Sequence, residues 1–436
     1  MDAHNLESQG APRTRWSRLF RHADFMKLWT GETVSQFGTR IGSVALSFAA
    51  VITLRATPFQ MGLLAAAGNV PTLVFSLITG AWVDRLRRRP IMIFADLGRT
   101  AILATIPLAA LYGALAMRQL YVVMLLAALL DLFFDVAYRA YLPTLVARED
   151  LLDANSKLTA SSAVAEAAGF GLCGWLVQWL SAPFAILFDA ISFLASAAAI
   201  GAIRAAEPSI EARQNQQGIA REIADGARMI WSDRRLRALG ITAVVGGFSN
   251  SLVGTLYMLF VVNALGFKPA TLGIIFAVGG ASSLFGALAA QRAAAAFGAG
   301  RAMAVGLAIN GFALMLLPIA HGAGIASVAL LVAQQLIGDG AVTIYIINSV
   351  TLIQAVTPHR MLGRVNASLR FVNLSAILVG ELVAGIAGGA AGLRPTMVAG
   401  AAGLWVTAAL LAASDIGSVV SIGESVAIEE AADRQA

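Results

Sequence analysis

Charge is scarce in this chain: only 13% of its 436 residues are Asp, Glu, Lys or Arg, while 58% are hydrophobic. Soluble domains carry roughly a quarter charged residues, so this balance excludes an ordinary globular domain and points to lipid as the solvent. Cysteine is scarcer still. A single Cys173 excludes an intrachain disulfide and any cysteine-cluster metal site. The sequence has no phosphate-binding Gly-x-x-x-x-Gly-Lys-Ser/Thr segment, which leaves ATP without support as an energy source. It also has no His-Glu-x-x-His or Gly-x-Ser-x-Gly arrangement to support an intramembrane hydrolase. The first 24 residues are charged and lack an apolar core of the signal-peptide kind, so no cleavage is expected there.

What is abundant is long apolar runs. A helix needs about 20 residues to cross roughly 30 Å of hydrocarbon, and blocks near that length occupy 28–54, 59–83, 90–113, 119–140, 157–180 and 182–203, then 237–262, 269–293, 299–319, 325–349, 363–391 and 395–413. Twelve spans are therefore predicted. Of the 31 Lys and Arg, most fall in loops on the side of the N-terminus, among them Arg13, Arg15, Arg18 and Arg21. Only Arg55, Arg118, Lys268 and Arg394 fall on the other side, while Arg40, Arg99 and Arg370 lie within spans. The positive-inside rule then predicts both termini to be cytoplasmic. The net charge of +6 becomes a signal of topology, and nucleic acid is not expected as a partner.

The chain divides into a cytoplasmic segment 1–24, a six-helix bundle 25–203, a cytoplasmic linker 204–236, a second six-helix bundle 237–413 and a cytoplasmic tail 414–436. The N-terminal segment reads either as an amphipathic surface helix with Trp16, Leu19 and Phe20 toward lipid or as a basic tail without structure. Within the linker, the spacing of Ile223, Ala227 and Ile230 predicts a surface helix over 220–231.

Ionisable side chains at bilayer depth are costly and mark pathways or partners. Asp131, Asp135 and Arg139 of span four lie four apart and share one face of a helix. Span one repeats the pattern with Glu32, Gln36 and Arg40. Arg40 and Asp131 fall at similar depth, so an ion pair between them is expected, either as a static bridge or as a pair whose protonation changes the cost of opening. Glu166, Asp189, Asp339 and Glu381 add carboxylates at depth, Glu381 with no cation near it in sequence. Aromatics such as Phe48, Phe133, Phe134, Phe248, Tyr257 and Tyr345 are candidates for the wall of a site.

The two halves echo one another. Glu149-Asp-Leu-Leu-Asp-Ala-Asn155 follows span four where Arg360-Met-Leu-Gly-Arg-Val-Asn366 follows span ten, and Gln291-Arg292 with Arg301 repeats Asp84-Arg85 with Arg88. Gly169-Phe-Gly171-Leu-Cys-Gly174 has the spacing of a dinucleotide fingerprint, but without the strand before it the run reads as helix packing. The pairs Gly38-x-x-x-Gly42, Gly385-x-x-x-Gly389 and Gly388-x-x-x-Gly392 read the same way.

Between spans two and three stands Gly80-Ala-Trp-Val-Asp84-Arg85-Leu-Arg87-Arg88-Arg89. With Tyr141-Leu-Pro143, Asp189-Ala-Ile-Ser192-Phe193 and Arg360-Met-Leu-Gly363-Arg364-Val, it makes residues 20–413 resemble the major facilitator superfamily, in its drug and siderophore exporter branch. Arg87 replaces the usual second Gly of the loop motif, and Phe170 stands where that branch carries Pro. The resemblance implies an all-α membrane protein of twelve transmembrane helices in two six-helix bundles. It also implies a cytoplasmic gate of Gly80, Asp84, Arg85, Arg88 and Arg89 against Arg360, Gly363 and Arg364, with Asp84 accepting hydrogen bonds at the start of span eleven.

The expected function is secondary transport in the cell membrane: proton-coupled efflux of a small amphipathic drug or siderophore by alternating access, with no cofactor beyond the proton gradient. The expected partners are the lipid bilayer, a small-molecule substrate and protons, with the protein acting as a monomer. Expected pathway residues are Glu32, Arg40, Asp131, Asp135, Arg139, Glu166, Asp189 and Glu381. Uptake by proton symport is an alternative. A membrane sensor or scaffold that does not transport is another, disfavoured because neither tail nor linker is long enough for an ordinary effector domain.

Overall fold

With no water in the bilayer core, every backbone N–H and C=O must be paired within its own segment, which leaves helices as the way for these apolar runs to cross. The structure, a computed structural model, describes residues 19–20, 22–83, 85–205, 207 and 219–418. The first six long helices are α1 (Ala23–Phe48), α2 (Pro58–Val83), α3 (Arg88–Leu111), α4 (Met117–Leu145), α5 (Leu151–Leu180) and α6 (Ala182–Gly201). A shorter α7 (Ile219–Ser232) lies where the linker spacing predicts a surface helix. The second set is α8 (Arg234–Leu259), α9 (Pro269–Phe297), α10 (Ala299–Ile319), α11 (Ile325–Val356), α12 (Leu362–Ala390) and α13 (Leu393–Ala412). The expected N-terminal surface helix through Trp16, and the tail beyond 418, lie outside the described residues.

Among the described residues, eleven helices are long and apolar enough to span a membrane. The twelfth, α1, misses on composition because Asp24, Lys27, Glu32 and Arg40 interrupt it. It is held instead by neighbours, packing along α6 and α5. Asp24 accepts from the backbone N–H groups of Arg204 and Ala205, and Lys27 donates to the Ala202 carbonyl at 2.8 Å, so the start of α1 is tied to the end of α6. Small residues allow close approach: a Cβ on Gly38 or Gly42 would collide with Ser192 and Asp189 of α6.

The halves repeat in detail. Ala23, Pro58, Arg88, Leu151 and Ala182 begin α1, α2, α3, α5 and α6, and at one constant offset Arg234, Pro269, Ala299, Leu362 and Leu393 begin α8, α9, α10, α12 and α13. Both α1 and α8 run 26 residues and then widen into a five-residue π turn, Ala49–Thr53 and Phe260–Ala264. In the first half α1 packs on α5 and α6, α4 on α2 and α3, and α3 on α6; the same five pairings recur in the second.

The bundles meet along two seams, α2 against α12 and α5 against α9. Both seams lie in the halves of the helices remote from α7. Gly62 faces the Glu381 carbonyl, Gly385 faces Phe59, and a Cβ on Gly174 would collide with the Pro269 carbonyl. Gln178 Oε1 accepts from the Ala270 N–H at 3.3 Å. The two π turns also touch. The molecule is therefore closed at the face remote from α7. At the α7 face, Gly80 and Gly363 look into open space.

Candidate functional site

Within the first bundle, α3 carries Asp96 and Arg99 three residues apart, so both side chains emerge on one face. Arg99 is only 3% exposed. Its Nη1 donates to Asp131 of α4 at 2.6 Å and its Nη2 to Asp96. The guanidinium carbon lies 3.9 Å from the ring centre of Phe193 and 4.6 Å from that of Phe134, both within cation–π range. Glu32 and Asp189 are buried within electrostatic reach of Arg99. Gln36 donates to one Glu32 oxygen at 2.6 Å, and Glu32 Oε2 has no hydrogen-bond partner. Four carboxyl groups thus surround one buried guanidinium.

The expected Arg40–Asp131 pair is not formed. Arg40 reaches Glu166 of α5 at 3.6 Å, while Asp131 turns to the neighbouring helix and Arg99. The reason is packing. Gly169 of α5 lies directly against the Arg40 stem, a close approach that steers the guanidinium along α5. Asp135 and Arg139 pair with each other at 3.0 Å along α4, and both are solvent-accessible.

The second polar assembly lines a cavity of about 600 Å³ between the bundles, near the closed face. Glu166 of α5, Asp339 of α11 and Glu381 of α12 contribute carboxylates to it. Asn69 of α2 donates to Glu381 Oε1 at 2.7 Å across a seam. The apolar wall is Met61, Met124, Met258, Phe170 and Phe276. Phe170, which stands where the resembling branch has Pro, meets Phe276 of α9 edge-on at 6.1 Å. The position that departs from the pattern supplies an aromatic contact across the α5–α9 seam.

None of the six aromatics singled out by sequence lines this cavity. Phe48 is fully buried in the core and Phe134 lies under Arg99. Tyr257 stands behind Phe276 at 5.7 Å. The sequence pattern does not single out the methionines of the wall, and it places Arg99 within a span without giving it a role. Methionine carries no periodic signal, but the pair Asp96-x-x-Arg99 inside an apolar run was visible.

The described residues show part of the expected gate. Asp84 lies outside the described residues. Arg89 donates to the Ile200 and Gly201 carbonyls, closing the end of α6 in its own bundle. The Arg88 N–H donates to Glu207 at 2.6 Å, which caps α3. Arg364 pairs with Asp225 of α7 at 3.3 Å. Arg85, Arg360 and Gly363 are exposed.

Comparison with known proteins accords with this architecture. The MFS-type transporter YfiS of Bacillus subtilis is 24% identical over 84% of this chain and 88% of its own length. The multidrug efflux pump Tap of Mycolicibacterium fortuitum is 29% identical over 45% of this chain, and macrolide efflux protein A of Streptococcus pyogenes 23% over 54%; each match spans about half of the relative, 49% and 55% respectively. Among solved structures, a bacterial homologue of the iron transporter ferroportin in an inward-facing state superposes with a TM-score of 0.74 at 15% identity, covering 89% of this chain and 97% of that one. The nucleoside transporter NupG gives 0.73 at 13%, covering 89% and 98%. The pattern of the transmembrane secretion effectors matches residues 14–428, and with two repeated six-helix bundles flanking a central cavity the chain belongs to that family of major facilitator transporters.

Proposed function

We propose that this transporter expels a small amphipathic organic molecule in exchange for protons, by rocking its bundles about the central cavity. The reading rests on Arg40, which links the two polar assemblies. It pairs with Glu166 on the cavity wall at 3.6 Å and stays within electrostatic reach of Asp131, whose own partner is Arg99. A cluster with four carboxyl groups around one guanidinium has the composition required of a site that takes up and releases protons. When Asp131 gains a proton, its attraction for both arginines falls, and Arg40 is free to strengthen its hold on Glu166. Proton binding in one bundle is thereby felt at the cavity between the two.

The α7 face is then the cytoplasmic one, since the basic loops lie there. Cargo enters from that face, the inner ends close, and the outer seams part. Two relatives are an efflux pump and an efflux protein by name, which favours export.

Proteoliposomes holding the pH dye pyranine provide the test. Addition of a macrolide, a tetracycline or ethidium is expected to trigger proton movement that Asp131→Asn abolishes. Unchanged proton flux in the variant would reduce Asp131 to a structural role. Cells lacking the protein should accumulate the substrate; loss of accumulation would reverse the direction to uptake.

A further inference from the structure

The cavity's charge is one-sided. Glu166, Asp339 and Glu381 line it from three different helices, and among the described residues no Lys, Arg or His joins them there. Arg40, reaching in from beside the wall, engages Glu166 and leaves the other two acids without an ion pair among the described residues. Glu381 is 6% exposed, its Oε1 is held by Asn69, and its Oε2 is buried with no hydrogen-bond partner. A carboxylate oxygen left unsatisfied at membrane depth costs free energy until a donor reaches it. The final torsion of a glutamate is soft, so a small turn presents Oε2 to the cavity without disturbing the helix.

Resting on the transport reading above, we infer that the cavity selects an amphipathic cation, and that Glu381 seats its ammonium group. The apolar wall fits the rest of such a molecule. Met61, Met124 and Met258 adapt their shape to varied hydrophobic bodies, and Phe170 and Phe276 offer ring faces that attract a cation. The volume of about 600 Å³ suits one drug-sized guest. Asn69 sets the orientation: by holding Oε1 across the α2–α12 seam it dedicates Oε2 to the guest. Because the same carboxylate lies at that seam, a guest bound to Glu381 touches the contact that must part for release on the far side. An anionic guest meets Asp339 and Glu381 without an ion-pair partner and finds the nearby Arg40 already engaged by Glu166. A polyanionic siderophore is accordingly rejected by this cavity.

The experiment uses three dansyl compounds that share one body and differ in charge: monodansylcadaverine, an amine; its N-acetyl derivative, which is neutral; and N-dansyl-6-aminohexanoate, an anion. Their fluorescence is titrated with the full chain in phosphatidylcholine nanodiscs, with empty discs subtracted. The amine is expected to bind at least tenfold tighter than the neutral compound, and the anion weakest of all. In Glu381→Gln, checked for a monodisperse elution profile, the amine's advantage over the neutral compound should shrink to within threefold. Asp339→Asn should diminish it less. Equal binding of the three by the wild-type chain, absence of binding by the amine, or an advantage undiminished in Glu381→Gln would each overturn the inference. No proton gradient enters this measurement. A protein that shows no amine preference yet moves protons when substrate is added would keep its transport function and lose only the proposed selectivity.

Discussion

Arg99 Nη1 and Asp131 Oδ1 stand 2.6 Å apart, joining α3 to α4 inside the first bundle. The two ends of this bond differ sharply, since the Arg99 side chain is 3% exposed and that of Asp131 is 62% exposed. One partner is enclosed within the bundle, and the other is accessible at its surface.

That asymmetry predicts unequal mutants. Arg99→Ala strands Asp96 without its cation in a buried place, and breaking a buried ion pair in this way costs about 3–5 kcal/mol. Purified Arg99→Ala protein should unfold at a temperature several degrees below the wild type. Asp131→Asn keeps the Arg99–Asp96 bond and should remain close to the wild-type midpoint.

Asp135 and Arg139 form an exposed pair along one helix, and such pairs contribute about 0–1 kcal/mol. The double variant Asp135→Asn with Arg139→Gln should leave the unfolding midpoint nearly unchanged. It should also retain substrate-triggered proton movement, in contrast to Asp131→Asn. Loss of flux in the double variant would put the pair on the pathway itself.

At the α5–α9 seam, a methyl group on Gly174 would meet the Pro269 carbonyl and the Gly273 backbone. Gly174→Ala should wedge this seam and favour the state open on the far side. A cysteine in place of the cavity residue Ser47, probed with a membrane-impermeant maleimide from that side, should react several-fold faster in the Gly174→Ala chain. Native Cys173 is fully buried and should stay silent. An unchanged rate would show that the seam yields without opening.

Gly226 of α7 lies against the Arg364 carbonyl and the Ser368 hydroxyl, so Gly226→Val should push α7 off α12. Trypsin should then cut at exposed Arg228 several-fold faster, a change read directly on a gel. Equal cutting rates would mean that α12 shifts with the larger side chain.

Much of the architecture could be read in advance because bilayer thickness imposes its own length scale on the sequence. The twelve runs follow from that, and the echo around 149–155 and 360–366 follows from the repetition of the two halves. The echo marks the constant offset that starts α5 at Leu151 and α12 at Leu362. The partner of Asp131 did not follow. Counting residues from a helix end gives depth, and Arg40 and Arg99 both lie near the depth of Asp131. Which of them meets it depends on how each helix is rotated about its axis, and that is set by packing such as Gly169 against Arg40. The gate loop is a further case. Its central carboxylate, Asp84, lies outside the described residues; of the others, Arg89 holds the end of α6 and Arg364 pairs with Asp225 of α7, neither of which the loop motif announces.

The seams lie toward one end of the long helices, and this makes a lever of each bundle. A 29-residue helix such as α9 is about 44 Å long, with its fulcrum in the third that begins at Pro269. Pivoting by about 10° around such a point swings the remote end by roughly 5 Å, about one helical turn. Glycines at the fulcrum therefore trade a small, tightly packed displacement for a wide opening at the opposite face, and a single added methyl group there has its largest effect far from where it sits.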